Sequence, residues 1–286
     1  MTLRHRSLRS IAAGSVLGLA AGTAAVLGTT TSASAATFDV TCQVPLLGEQ
    51  TLSVDVTTDA PAELPSGASH TPTVTAVMTV PAGMADALRS FLSADEVEGT
   101  VVADAVVNES TVIPVTLTVP RTDVGPSGTP IVLTATGQSP QALTAGLPGT
   151  YHLAAGDMDV DMTVYDAEGD PAGSNFDIPC TPGDPVAIGT VDTVKADSET
   201  DATAELKKKK VTVTATVVTE TGISADGSVK ISVKGKKSGQ GANVEVVDGV
   251  AEATFKVKPG KYDFVAKYKG SETTEASKDK GSFKVR

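Results

Sequence analysis

The chain has no tryptophan, and aromatic residues make up 3% of its 286 positions. Sugar binding by ring stacking, which needs exposed Trp or Tyr, has little to draw on. Histidine is as scarce: there are three, and only His70 and His152 lie beyond the first 35 residues. No G-x-S-x-G, H-E-x-x-H or P-loop pattern occurs, so three common routes to catalysis lack their signatures. Cysteine is limited to Cys42 and Cys180. Without nearby histidines the pair is half a zinc ligand set at best. Lysine is absent before Lys195. After the N-terminal segment no apolar run reaches the roughly twenty residues that span a bilayer.

What the N-terminus does contain reads as an export signal. Arg4, Arg6 and Arg9 precede an apolar, small-residue run from Ile11 to Gly28, and Ala33 and Ala35 then occupy A-x-A positions. This order predicts a cleaved signal peptide over residues 1–35. A membrane anchor is the competing reading, opposed by the Ala/Gly content of the run and the cleavage pattern that follows it. There is no RR pair, and the terminal GSFKVR is polar and unlike a wall-sorting signal. The expectation is therefore an extracellular protein, loosely wall associated, with no membrane contact after cleavage. In an exported protein the two cysteines default to one disulfide, Cys42–Cys180.

The chain carries 16 prolines and 27 glycines among short Val/Thr/Ala-rich runs. Many short strands with regular turn signals predict an all-β chain of two β-sandwich domains. Charge divides them. Residues 36–184 hold twenty acidic and two basic side chains, net −18, whereas residues 185–286 are net +4. The shift coincides with the turn-rich TPGDP at 181–185. The expected plan is an acidic sandwich over 36–183, a linker over 184–194 and a second sandwich over 195–286.

In the second half, VTVTATVV, SVKISVKG and GKYDFVAKYKG alternate with period two, so each is wet on one face and dry on the other. VEVVDGVAEATFKV reads as two strands joined by Asp248-Gly249, a type I′ hairpin dipeptide. These segments together resemble the bacterial Ig-like repeat domain of surface and secreted proteins. The resemblance implies an Ig-like sandwich over 195–286 and no particular chemistry.

In the first half eight strand-like runs and one helix, AGMADALRSFLS, predict an elaborated sandwich with one short helix. Met84, Ala87, Leu88, Phe91 and Leu92 recur at helical spacing and are expected to cover one end. The pattern F-x-x-x-C-x-x-P-L-x-G, with C-x-P further on, is similar to a secreted domain of unknown function from high-GC Gram-positive bacteria. That resemblance implies no activity.

Few residues invite a chemical reading. Asp157, Asp159 and Asp161 alternate with Met158, Val160 and Met162, so on a strand the carboxylates share one face. The spacing fails the EF-hand pattern, since a methionine falls at the sixth position. A solvated face is the first reading, a looser calcium site the second. Asn108-Glu109-Ser110 is a glycosylation sequon, of little weight in the bacterial context that the two resemblances imply. Lys207, Lys208, Lys209 and Lys210, with Lys230 and Lys234, suggest either a strand edge guarded by charge or a basic face for anionic polymers. Without arginine or interleaved aromatics, nucleic acid is not expected. No cofactor is expected.

The expectation is a secreted, non-catalytic structural or interaction protein. Its partners would be anionic cell-wall polymers or other surface proteins. The alternative is a secreted hydrolase with a non-standard site around His152 and the acidic stretch.

Overall fold

The computed structural model describes residues 34–286 apart from 46, 174 and 237. The expected signal peptide therefore lies outside the described residues except for its last two positions. In chain order the first part comprises β1 (Ser34–Val44), β2 (Gly48–Thr58), the short β3 (Glu63–Pro65) and β4 (Ser69–His70), β5 (Thr73–Val80), helix α1 (Ala82–Leu92) and β6 (Glu96–Val107). It continues through β7 (Thr111–Asp123), β8 (Ile131–Gln138), the short β9 (Leu143–Thr144), β10 (Gly149–Tyr165), β11 (Phe176–Thr181) and β12 (Val186–Val194).

The chain is all-β but for α1, as its alternation requires. Along β1, Phe38, Val40, Cys42 and Val44 are buried, and along β10 Met158, Val160, Met162 and Val164 are buried. Burying each such side chain is worth about 1.5–3 kcal/mol. The strands pair in the order β11-β1-β2-β5-β8-β7-β6-β10, and β10 pairs again with β11. The first body is thus a sandwich whose sheet closes on itself as an eight-stranded barrel, which leaves no free edge along that ring. At the β7–β8 seam only Thr118 and Thr136 are in register. Gly137 permits the approach, because a Cβ there would lie 2.2 Å from the Thr116 carbonyl oxygen.

β10 is 17 residues long and serves two neighbours. Gly149–Ala155 pair with β12, and Met158–Met162 pair with β11. The expected linker over 184–194 is therefore mostly strand, and the first body extends to Val194. Pro185 and Gly189 interrupt the alternation in that segment, so its sequence reads as a loop, while the open edge of β10 recruits it. β3 adds in parallel to β12. Val107, Ile113, Leu153 and Val191 join Leu64 in a small core outside the barrel. The expected cleavage point falls inside β1, whose Ser34 and Ala35 pair with Thr58 and Thr57.

The second part contains β13 (Ser198–Lys207), β14 (Lys210–Thr219), β15 (Ser228–Gly235), β16 (Gly239–Glu245), β17 (Val250–Lys256), β18 (Gly260–Tyr268) and β19 (Lys278–Val285). A three-stranded sheet, β13-β14-β17, packs on a four-stranded one, β16-β15-β18-β19. Seven antiparallel strands so divided form an Ig-like sandwich. Its core includes Val211, Val213, Ile231, Phe264 and Tyr268.

One local expectation changes. Asp248 and Gly249 both have positive φ, and Val247 and Val250 bond across them, so the turn forms as read. Its flanking strands, however, leave for opposite sheets, because β16 pairs with β15 and β17 pairs with β14. A turn dictates only its own dihedrals; the partners are chosen elsewhere. β13 carries inward Thr200, Ala202 and Ala204, too small and polar to stand out as a strand pattern. The two parts touch where Thr221 Oγ1 donates to the Ser66 carbonyl (2.8 Å) and Ile223 lies against Gly67.

Candidate functional site

Asp157, Asp159 and Asp161 lie exposed on the outer face of β10, with Met158, Val160 and Met162 inside the barrel. Asp177 of β11 stands directly opposite Asp161. Like charges opposed across strands are unfavourable. Strand geometry holds alternate carboxylates about 7 Å apart, and among the described residues no three His, Cys, Asp or Glu side chains converge on a metal-sized site.

The two cations of the first body do not neutralise this face. Arg89 donates to Asp86 Oδ1 (2.7 Å), to the Gly125 carbonyl (2.9 Å) and to the Thr129 and Val124 carbonyls. It thereby ties α1 to the β7–β8 loop. The Gly128 N–H and the Arg89 guanidinium hold the Asp86 carboxyl below the usual aspartate range. Arg121 lies 3.5 Å over the Tyr165 ring and pairs with Glu96 (3.2 Å). The Tyr165 hydroxyl bonds Glu98, which raises its pKa above the ordinary tyrosine value.

The histidines sit apart. His70 Nε2 is 3.3 Å from Asp59 Oδ1. Partial burial pushes the Asp59 carboxyl up, but the Thr73 N–H (2.7 Å) and His70 outweigh it, and the group sits below its ordinary pKa. His152 is exposed on β10 beside a shallow pocket shared with Glu109 and Thr190. Its backbone N–H donates to Asn108 Oδ1 (3.0 Å), so the sequon asparagine serves as the clamp of the β6–β7 turn. Among the described residues neither imidazole hydrogen bonds a Ser, Thr or Cys side chain. Five positions along β10 separate His152 from Asp157, about 17 Å of extended chain. The structure sets His152 apart from the acidic stretch on β10.

One end of the barrel holds an apolar cavity of about 70 Å³ beneath α1. Met84, Leu88 and Leu92 face Met78, Val160 and Met162 across it, with the Cys42–Cys180 disulfide in the wall. Without polar partners a cavity of this kind stays dry. The helix covers the end as expected, although Phe91 is left 74% exposed.

The lysines singled out by sequence do not form one face. Lys230 and Lys234 lie on the outer side of the four-stranded sheet, where Lys230, Lys267 and Lys278 occupy one row across β15, β18 and β19. Lys207–Lys210 form the β13–β14 turn on the other sheet, with Lys208 at φ 57°. Register adds cations that the sequence reading missed. Lys210 is opposite Lys256. On the second sheet Lys261 is opposite Lys284. All four lie at the end of the sandwich where β14 and β18 begin, the end away from Thr221 and Ser66. The available signal was positional: each is within two residues of a turn or strand end.

The geometry defines a two-body, all-β protein: a disulfide-stapled acidic barrel followed by an Ig-like sandwich that carries every lysine. The chain belongs to the family of unknown function DUF6801, whose profile matches residues 39–189, from β1 into β12. No curated protein matches the chain. Among solved structures it is similar to a protein described as membrane anchored from Corynebacterium diphtheriae, at 15% identity and TM-score 0.38, covering 86% of this chain. The chain spans 58% of the length of that protein. It is also similar to the fibronectin(III)-like modules of Clostridium thermocellum CbhA (16% identity, TM-score 0.26, 81% of this chain and 94% of that one). The chicken CNTN1 FN1–FN3 domains match at 10% identity and TM-score 0.25, covering 89% of this chain and 95% of that one.

Proposed function

We propose that this is a non-catalytic interaction protein of the cell exterior, exported by its N-terminal segment. In this reading the barrel is a rigid acidic body, and the C-terminal sandwich is a bacterial Ig-like repeat that holds the protein loosely on an anionic envelope. The observation that carries the reading is the segregation of charge. Both barrel cations are consumed by internal contacts, whereas the sandwich exposes lysines on both sheets. Such a surface attracts polyanions through salt-dependent electrostatics. The buried disulfide supports an oxidising compartment.

Fractionation of cells that produce the chain tests it. The protein should appear in medium and envelope fractions with its disulfide intact, and salt should release it from isolated walls. A cytoplasmic protein with two free thiols would overturn the proposal. So would turnover of an ester, peptide or glycan that is lost in His152→Ala.

A further inference from the structure

We infer that the end of the C-terminal sandwich away from the barrel is a binding site for a base-free phosphate polymer. The inference rests on the interaction-protein reading above and assigns its site and ligand class. The strand register sorts charge along the sandwich axis. At the end that adjoins the barrel the Lys230–Lys267–Lys278 row is interspersed with acids such as Asp197, Glu220, Asp226 and Glu275. At the opposite end, Lys207, Lys210 and Lys256 form a row across the outer face of one sheet. Lys261 and Lys284 form a second row on the other sheet. Between them, Lys208, Lys209 and Lys258 occupy the loop tips, all exposed. The loops are locked together: the Val257 N–H donates to the Lys209 carbonyl (2.9 Å), and Gln240 Nε2 donates to the Lys256 carbonyl (2.8 Å).

Among the described residues two acids share this end. Glu205 pairs with Lys207 at 3.2 Å, and Asp263 stands opposite Lys234. The arrangement is unfavourable in isolation, because like charges are set directly opposite one another in two rows. Lys208 also holds a left-handed backbone that suits Gly or Asn better. A polyanion across the pole would relieve the repulsion. The acidic barrel at the far end would repel the same polymer, leaving the tip as the point of contact.

The side chains select the ligand. Apart from Arg286, which follows Val285 at this end, the cations here are lysines, point charges that suit phosphate oxygens in any orientation, whereas planar carboxylate recognition favours the arginine fork. The loop tips carry no aromatic residue on which bases could stack. The fitting partner is a flexible chain of repeated phosphates without bases.

Binding of long-chain inorganic polyphosphate to the purified protein, measured across a salt series, tests the assignment. Polygalacturonate, single-stranded DNA and anionic phosphatidylglycerol vesicles serve as comparisons at equal charge. Replacing Lys207–Lys210 with glutamine should weaken polyphosphate binding about tenfold or more and flatten its salt dependence, as expected when several phosphate contacts are lost. Replacing Lys230, Lys267, Lys269 and Lys278 removes equal charge nearer the barrel and should change binding less than about threefold. If the turn variant misfolds, K256Q/K258Q/K284Q, outside that turn but at the same end, should give the same loss.

Equal losses from the pole and control variants would overturn the site. Preference for polygalacturonate, DNA or vesicles over polyphosphate would overturn the ligand class. Absence of polyphosphate binding at low salt would overturn both. Wall binding that persists without polyphosphate binding would leave the envelope reading standing and this one fallen; the reverse result would separate them the other way.

Discussion

Cys42 and Cys180 stand directly opposite each other on β1 and β11, with Cα atoms 4.0 Å apart and a disulfide between them. The bond joins the strand that opens the barrel to the strand that closes it, across a sequence separation of 138. Chain-entropy reasoning puts the upper bound of its contribution near 5 kcal/mol, and measured values are commonly about 2–4. Cys42→Ala/Cys180→Ala should lower unfolding free energy by about that amount. Urea denaturation of the oxidised, reduced and double-alanine forms checks it: reduction should reproduce most of the mutant's loss.

Two glycines make opposite predictions. A Cβ at Gly137 would collide with backbone of β7 at 2.2 Å, so Gly137→Ala should cost about 1–3 kcal/mol through overpacking at the seam. Gly83 in α1 has nothing within 4 Å of the added carbon. Gly83→Ala should stabilise by about 0.5–1 kcal/mol, because glycine is a poor helix former. Thermal melts of both variants measure the contrast.

Lys208 bears on stability and binding at once. With φ at 57°, Lys208→Gly should raise stability by about 1 kcal/mol. The same substitution should weaken polyphosphate binding slightly, since one of several charges at the tip is lost. A variant that loses stability would show that the lysine side chain makes a compensating contact.

The acid limb of stability should involve Asp59 and Asp86. Both carboxyls are held below their ordinary value of 3.8 in the folded protein. Groups with depressed folded pKa values contribute stability above the unfolded value and lose it as pH falls through the folded one. Unfolding midpoints should therefore be steady near neutrality and fall below about pH 4. Asp59→Asn and Asp86→Asn should each flatten that fall. An unchanged slope in both variants would assign the acid sensitivity to other carboxylates.

How much of this was legible beforehand varies by element. The eight barrel strands and α1 follow from their own residues, because period-two and helical spacing are local properties. β12 escaped notice because Pro185 and Gly189 break the alternation, and only the unpaired edge of β10 makes a strand of it. β13 escaped because its inward positions are Thr200, Ala202 and Ala204. Asp248-Gly249 reads as a hairpin; its turn forms but no ladder follows, since β16 and β17 find their partners in different sheets.

The lysine pole shows the same division at the level of the site. Lys209, Lys256 and Lys284 are far apart in sequence, and nothing local links them. Composition and periodicity alone determined that the chain would be β-rich, that its two cysteines would pair if exported, and that its charge would divide near Val186. Closure of the first sheet into a barrel, recruitment of β12, and the gathering of cations at one tip were decided only by tertiary structure. The physical reason is that side-chain alternation says which face of a strand is dry, whereas strand order and register, which bring distant charges together, arise from pairing over long separations.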